Sequence, residues 1–173
     1  PAVYDKTGWH PMPYLDQGEF YSEYGTYDVR ITLPDNYVVG ATGNLQNEEE
    51  KVWLDSLSRT DAEAQVLINF LAGTPPSSAK TKTLYYRQEY LHDFAWFADK
   101  TYIVRKDTAI LSHTGRKVTT WAMFQPQLYE QWKGAVAYVT RAVEFYSLHI
   151  GDYLYDQATA VAGALSAGGG MEY

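Results

Sequence analysis

A helical repeat of apolar residues between residues 126 and 149 constrains the fold of this chain most strongly. Pro126 suits the first turn of a helix, where its missing N–H would have no partner. Gly151 lies just beyond the repeat. The pattern predicts one uninterrupted helix over residues 126–149, roughly 36 Å long. The apolar stripe at 3.6-residue spacing consists of Leu128, Trp132, Ala135, Val136, Val139, Ala142, Val143 and Tyr146.

Alternation of apolar and polar residues predicts several β-strands. The clearest is "YDVRITL" (27–33), whose apolar face consists of Tyr27, Val29, Ile31 and Leu33. "PDN" (34–36) predicts a turn directly after it. Further strands are predicted over residues 18–25, 37–43, 82–104 (as two strands broken near 91–93), 117–124 and 158–165.

Two short helices are predicted between residues 46 and 73. Asn47 with Glu50, and Thr60 with Glu63, have the spacing of N-terminal capping boxes. Gly73, followed by two prolines, ends the second helix. The apolar stripe of that helix consists of Val66, Leu67, Phe70 and Leu71.

These elements together predict an α+β fold. A β-sandwich portion would occupy residues 1–91 and carry a helical insertion at 46–73. A mixed sheet with one long helix would follow over residues 92–173. The candidate domain boundary lies near 91–94, where the strand pattern is broken.

Composition and charge exclude several classes of partner. The 173 residues carry a net charge of −7, and duplex nucleic acid is therefore not an expected partner. The chain has no cysteine, which excludes disulfides and thiolate metal sites. No apolar run reaches the roughly 18 to 20 residues that span a bilayer. Because the sequence starts at Pro1 and has no signal peptide, we expect it to be a piece of a longer protein.

The sequence offers few residues for catalysis or metal binding. The four histidines (His10, His92, His113 and His149) include no pair three or four residues apart, so no local metal clamp is predicted. His92-Asp93 is the most suggestive pair, and a structural hydrogen bond is its favoured interpretation. A G-x-S-x-G nucleophile motif is lacking, and the glycine run has neither the lysine nor the following helix of a phosphate-binding loop.

The glycine-rich stretch "SAGGGMEY" (166–173) is the best candidate for a binding site. Glycines let the backbone of a ligand approach within hydrogen-bonding distance, because no Cβ stands in the way. Glu172 could receive the free α-amino group of a peptide held there. The alternative interpretation is a bend at a domain edge with a solvated glutamate.

At "GGMEY" the chain resembles the aminopeptidase N family of zinc metallopeptidases, which carries a G-x-M-E-N exopeptidase motif. Tyr173 stands where the family usually has asparagine. Three other segments resemble the family in the same order: "GEFYSEYGTYDVRITLPDNYVVGATGNL" (18–45), "LHDFAWFADKTY" (91–102) and "WKGAVAYVTRAVEFYSLHIGDYLYDQATAVAG" (132–163). The residues that match the motif are Gly169, Gly170, Met171 and Glu172.

The resemblance implies a fragment of a zinc-dependent aminopeptidase, covering the end of its amino-terminal β domain and the start of its thermolysin-like catalytic domain. Gly169, Gly170 and Met171 would contact the bound peptide, and Glu172 would bind its α-amine. The family holds zinc with H-E-x-x-H, and this chain contains no such motif. We therefore expect zinc in the parent protein but none bound by this chain, no catalytic residue, and no hydrolysis by the chain alone.

The resemblance also implies partners and a location. The partners would be peptide substrates and the remaining domains of the parent protein. Bacterial members of this type are often periplasmic, outer-membrane-associated or secreted. Apolar surfaces that face missing domains would be exposed, which predicts self-association.

Two other hypotheses remain. One is an aromatic-rich binding module for carbohydrate or protein, since 16% of the residues are aromatic. The other is a non-catalytic relative of the peptidases, for which Tyr173 gives slight support.

Overall fold

The computed structural model describes residues 2–11, 24–163 and 169–171. These residues form an α+β fold, as predicted, with strands in four separate groups. The helices are α1 (Glu48–Ser58), α2 (Ala62–Ala72), a 3₁₀ turn (Pro126–Leu128), α3 (Tyr129–Trp132) and α4 (Ala135–His149). The strands are β1 (Ala2–Asp5), β2 (Gly8–Pro11), β3 (Gly25–Pro34), β4 (Val38–Ala41), β5 (Asn44–Leu45), β6 (Thr81–Leu91), β7 (Trp96–Asp99), β8 (Ile103–Ile110), β9 (Lys117–Phe124) and β10 (Gln157–Val161).

The first large sheet is antiparallel and has the strand order β3-β6-β5. The alternation predicted for residues 27–33 is confirmed. The apolar face is buried or half-buried, whereas the intervening residues Asp28, Arg30 and Thr32 are exposed. The predicted turn follows, with the N–H of Tyr37 donating to the Pro34 carbonyl at 3.2 Å. Most of the strand predicted at 18–25 lies outside the described residues.

Strands on both sides of residues 91–94 share one hydrophobic core. β4 pairs antiparallel with β7, and the strand break predicted near 91–93 is confirmed between β6 and β7. A second break follows β7, because the Asp99 carboxylate accepts the N–H of Thr101 at 2.7 Å in a tight turn. Buried Val39 and Leu84 belong to the same core cluster as Tyr102, Val104 and Met123. The division into two domains stays a prediction.

The capping box predicted at Asn47 and Glu50 is wrong. Asn47 precedes α1, but its side chain makes no cap hydrogen bond. Its amide accepts the N–H of Tyr85 at 2.7 Å and donates to the Thr83 carbonyl at 3.2 Å, which joins α1 to β6. Glu50 points the same way and pairs with Lys82 of β6.

The start of α2 is displaced by one residue from the prediction. Asp61, not Thr60, is the N-cap, and its carboxylate accepts the N–H groups of Glu63 and Ala64. The Thr60 hydroxyl instead donates to the Leu57 carbonyl at the end of α1. The predicted end at Gly73 is confirmed, with a positive φ of 71° that favours glycine.

The second large sheet is mixed and has the order β10-β9-β8. β8 and β9 form an antiparallel hairpin, whereas β10 runs parallel to β9. α4 connects β9 to β10 and packs on this sheet, where its Val143 joins the buried Ala109 and Val118. A mixed sheet with a helix beside it was predicted, and this part of the fold is confirmed.

The single helix predicted over residues 126–149 is wrong in its continuity. A turn at Lys133-Gly134 separates α3 from α4. The Lys133 N–H still bonds to the Tyr129 carbonyl at 2.8 Å, but regular α-helix resumes only at Ala135. Trp132, which ends α3, packs its ring 6.1 Å from that of buried Phe124.

The buried face of α4 also differs from the predicted stripe. Thr140, Val143 and Ser147 are buried, while Ala142 and Tyr146 are exposed. The Thr140 hydroxyl lies 2.7 Å from that of Thr120, and the Ser147 hydroxyl accepts a backbone N–H at 3.1 Å. Because these hydroxyls have partners, burying them carries little penalty. None of the helices in the described residues has the length and apolar character needed to cross a membrane.

Candidate functional site

A cleft of about 590 Å³ lies along β10. We call it the β10 cleft. The described residues of the glycine-rich tail, Gly169–Met171, form part of its wall, together with the end of β4 and the loop that precedes β10. Its larger side chains are Phe97, Leu128, Trp132, Val139, Tyr153 and Tyr155.

Among the described strands, β10 is an edge strand, and its residues line this cleft. Within the described strands, β10 pairs only with β9, in a register that sets Ala160 beside Ala122. The N–H of Ala162 continues the ladder by donating to the Met123 carbonyl at 2.8 Å. The strand predicted at 158–165 is confirmed up to Val161 but is half-buried, and residues 164 and 165 lie outside the described part.

Glycines allow β4 and β7 to approach β10 closely. A Cβ on Gly40 would lie 2.8 Å from Cγ2 of Val161 and 3.0 Å from Sδ of Met123. A Cβ on Gly163 would lie 2.6 Å from Cε1 of Phe97. Val161 therefore faces β4, while Ala158 on the opposite face packs into the core beneath α4.

Side-chain hydrogen bonds fix the loop that leads into β10. The Gln157 amide donates to the carbonyls of Ala41 and Gly43. The Tyr155 hydroxyl donates to the Tyr90 carbonyl at 2.9 Å, and the Tyr153 hydroxyl donates to the Gln157 carbonyl at 3.1 Å. Burial and the neighbouring Tyr155 raise the pKa of Tyr153, so its hydroxyl keeps its proton at neutral pH.

Three of the four predicted site residues, Gly169–Met171, are consecutive in the chain and line the β10 cleft. Gly169 has a φ of +99°, a conformation that side-chain-bearing residues rarely adopt. Gly170 and Met171 line the β10 cleft, and Met171 is 43% exposed. Glu172 and Tyr173 lie outside the described residues.

Several cleft residues were missed by sequence reasoning. Trp132 was assigned to a core-facing stripe, and Tyr153, Tyr155 and Gln157 were not singled out. The dense "DYLYDQ" stretch (152–157) between the helix and the strand was the available signal. The sequence around Gly40 did not indicate its place in the cleft, because Gly40 lies beside Val161, which is distant in the chain.

The histidines are spread over separate places. His92 is exposed, and the adjacent Asp93 carboxylate accepts the N–H of Phe94 at 2.8 Å. His113 lies 3.3 Å from Asp152 in an exposed pair that the sequence did not predict. The described residues contain no group of three or more His, Cys, Asp or Glu side chains that could hold a metal ion.

A second cavity of about 310 Å³ lies between β4 and β9. Unlike the described lining of the β10 cleft, its lining includes charged side chains. Lys51, Lys106 and Asp156 line it. Both lysines are already paired, Lys51 with Glu48 at 2.6 Å and Lys106 with Asp55 at 2.8 Å. Both lysines in the described lining of this cavity therefore already have a carboxylate partner, and the β10 cleft is the stronger candidate.

Comparison of the chain with protein-family models finds no match, and comparison with curated proteins finds none either.

Proposed function

We propose that this chain forms the substrate-amine-binding part of a zinc-dependent aminopeptidase, an enzyme that removes amino-terminal residues from peptides. The observation that carries the proposal is the position of Gly169–Met171 in the wall of the β10 cleft, beside the edge strand β10. The resemblance of "GGMEY" to the exopeptidase motif supplies the chemistry.

The peptide would bind in an extended conformation along the cleft. A free strand edge offers backbone N–H and C=O groups to an added strand, and glycines let that strand come close. The carboxylate of Glu172 would accept the α-ammonium group of the peptide. Charge-assisted hydrogen bonds of this kind are roughly twice as strong as neutral ones, so the amino end would fix the register of the peptide.

The proposal confines this chain to binding and orienting the peptide. The sequence contains no H-E-x-x-H motif, so no zinc ligand is assigned to this chain. No hydrolytic step is assigned to its residues, and the zinc chemistry belongs to the parent protein.

Peptide binding tests the proposal directly. A tripeptide amide with a free α-amine should bind the chain at least about tenfold more tightly than its N-acetylated form, because acetylation removes the charge that Glu172 would receive. Titration calorimetry measures both affinities. The Glu172→Gln variant should lose this difference, and Glu49→Gln, at an exposed position of α1, should retain it.

Equal affinity for the free and acetylated peptides would overturn the proposal. An amine dependence that survives in Glu172→Gln would overturn the role of Glu172. Failure of every peptide to bind would also count against the function.

An aromatic binding module for sugars is the second candidate, favoured by Trp132, Tyr153 and Tyr155 in the cleft wall. Trp132 would report such binding through a change in its fluorescence. An oligosaccharide series that leaves the fluorescence of the wild type unchanged, or changes it equally in Trp132→Phe, would remove this candidate.

A further inference from the structure

We infer that this chain forms a two-fold symmetric dimer in which α2 of one copy packs antiparallel against α2 of a second copy. No described lining residue of the β10 cleft belongs to α2, and the inference does not depend on the proposed function. The observation behind it is the orientation of α2, which turns its more apolar face away from the rest of the protein.

The face of α2 toward the protein is the more polar one. Ala62, Gln65, Val66 and Asn69 form this inner face, at the helical spacing i, i+3, i+4 and i+7. Ala62 is buried and Val66 packs against buried residues, but Gln65 and Asn69 are amides. The buried Oε1 atom of Gln65 has no hydrogen-bond partner among the described residues. The inner face therefore contributes little hydrophobic stabilisation.

The opposite face of α2 is apolar and exposed. Leu67, Ile68 and Leu71 are each more than half exposed, and Ala64 is exposed as well. Phe70, which is 83% exposed, lies at the border of this face. The spacing i, i+3, i+4 and i+7 from Ala64 to Leu71 is the pattern of a helix that packs on another apolar surface. We call Ala64, Leu67, Ile68, Phe70 and Leu71 the outer stripe.

The size of the outer stripe matches a weak dimer. Its four large side chains expose on the order of 500 Å² per copy, since a fully exposed aromatic residue presents about 200 Å². A symmetric contact would therefore bury about 1,000 Å² in total, which is the lower limit for a specific interface. We expect a dissociation constant of about 1 to 100 μM.

Shape and charge favour the antiparallel arrangement. A two-fold axis between Leu67 and Ile68 sets the small Ala64 against the large Leu71 of the second copy, so the two stripes interdigitate. The exposed Glu63 carboxylates of the two copies then lie roughly 14 Å apart along the helix axis, beyond the Debye length at physiological salt. A parallel arrangement would set these like charges side by side.

Charge argues against a lipid surface as the occupant of the outer stripe. Helices that lie on a membrane surface are rich in Lys and Arg on their polar face. Residues 60–79, which contain α2, include no Lys or Arg, and the chain carries a net charge of −7. A second copy needs no such cations, because the two outer stripes meet through apolar side chains alone.

Sedimentation equilibrium measures the dimer directly. The mass of the wild type should rise with concentration from 19.6 kDa to a plateau at twice this value. Leu67→Glu should raise the dissociation constant at least about tenfold, because it brings two carboxylates together in an apolar contact. Val52→Glu is the matched control, since Val52 is 69% exposed on α1 and the substitution makes the same change of charge. If Leu67→Glu does not fold by circular dichroism, Ile68→Glu, at a 63% exposed position, replaces it.

Single cysteines test the orientation, because the chain has no cysteine of its own. A disulfide requires two Cα atoms within about 7 Å, and the antiparallel arrangement brings position 64 of one copy to position 71 of the other. Ala64→Cys and Leu71→Cys, mixed and oxidised, should give the mixed disulfide at least about tenfold more often than either homodimer, as measured by mass spectrometry. Val52→Cys, oxidised alone, is the control and should remain monomeric.

Four results would overturn the inference or its geometry. A wild type that stays at 19.6 kDa at every concentration overturns the dimer. Association that continues beyond two copies, or that Val52→Glu weakens as much as Leu67→Glu, overturns the role of the outer stripe. Homodimers of Ala64→Cys in excess over the mixed disulfide overturn the antiparallel arrangement. Sedimentation of a monomeric chain together with vesicles of phosphatidylcholine and phosphatidylserine would replace the second copy by a lipid surface.

Discussion

Glu50 of α1 and Lys82 of β6 form an ion pair with 2.6 Å between Oε1 and Nζ, and their side chains are only 10% and 15% exposed. The Lys82 ammonium also lies 4.0 Å from the centre of the Trp53 ring. This contact joins the helical insertion to the first sheet. Removing one member of a buried pair leaves the other charge buried without an opposite charge. The resulting loss of folding stability is larger than the net contribution of the intact pair to stability.

Replacing Lys82 should therefore destabilise the fold. We expect Lys82→Met to lower the free energy of unfolding by about 3 kcal/mol, measured by urea denaturation. Lys51→Met is the matched control, because Lys51 pairs with Glu48 at the same 2.6 Å but with side chains 44% and 80% exposed. In this control variant the free energy of unfolding should fall by no more than about 1 kcal/mol. Equal losses in the two variants would contradict the role of burial.

The same carboxyl group should make stability depend on pH. Burial raises the pKa of Glu50 above its ordinary 4.5, and the hydrogen bond and charge of Lys82 act in the opposite direction without cancelling it. A raised folded-state pKa means that the protonated form is favoured by folding. The stabilisation of the fold by the protonated Glu50 carboxyl is fully present below pH 4.5. It is lost as the pH rises through the folded-state pKa of Glu50.

Glu50→Gln removes this titration. We expect the unfolding free energy of the wild type minus that of Glu50→Gln to fall as the pH rises from 4 to 8, measured by urea denaturation at each pH. Taking the difference cancels the titration of all other groups to first order. A difference that grows with pH would mean that Lys82 dominates over burial at this site.

The sequence predicted those features whose cause is local. Alternation along residues 27–33 identifies a strand because each side chain reports its own face, and the structure buries Ile31 and Leu33 accordingly. The end of α2 at Gly73 followed from residues within four positions of it. The predicted β9 at 117–124 agrees with the observed bounds for the same reason.

Features that depend on distant partners were not predictable. Asn47 looked like a helix cap, but its amide bonds to Thr83 and Tyr85 of β6. Thr140 was not part of the apolar stripe predicted for this helix, but its hydroxyl meets that of Thr120 in the sheet below. The candidate site shows the same division: the tail motif is local in sequence, whereas another part of the cleft wall comes from the distant β4.

The cap of α2 should distinguish the predicted residue from the observed one. Asp61→Ala removes two hydrogen bonds to helix N–H groups and should lower the unfolding free energy by about 1 kcal/mol. Thr60→Ala should lower the unfolding free energy by less, about 0.5 kcal/mol, because the Thr60 hydroxyl bonds to the Leu57 carbonyl and does not cap α2. Urea denaturation measures both, and a larger loss in Thr60→Ala would restore the original prediction.

The close approach of β4 to β10 should tolerate no side chain at Gly40. A Cβ there would lie 2.8 Å from Val161, so Gly40→Ala should lower the unfolding free energy by about 2 kcal/mol through overpacking. Gly25→Ala is the control, since a Cβ at this strand position meets nothing within 4 Å. Thermal and urea denaturation of both variants test this, and equal stability would show that β4 can shift away from β10.

The exposed apolar surface of α2 should cause self-association. The stripe predicted for this helix includes Leu67, Phe70 and Leu71, yet these side chains are 57%, 83% and 74% exposed, and only Val66 packs against the core. Contiguous exposed apolar residues drive association in water. We therefore expect the weight-average mass in light scattering to rise with concentration.

Phe70→Lys should reduce this rise, and Thr74→Lys, at an exposed polar position just after the helix, is the charge-matched control. Each substitution brings the net charge of −7 closer to zero, which by itself favours association. A decrease seen only in Phe70→Lys would therefore come from removal of apolar surface. If the wild type stays at 19.6 kDa at every concentration, the exposed face of α2 does not drive association.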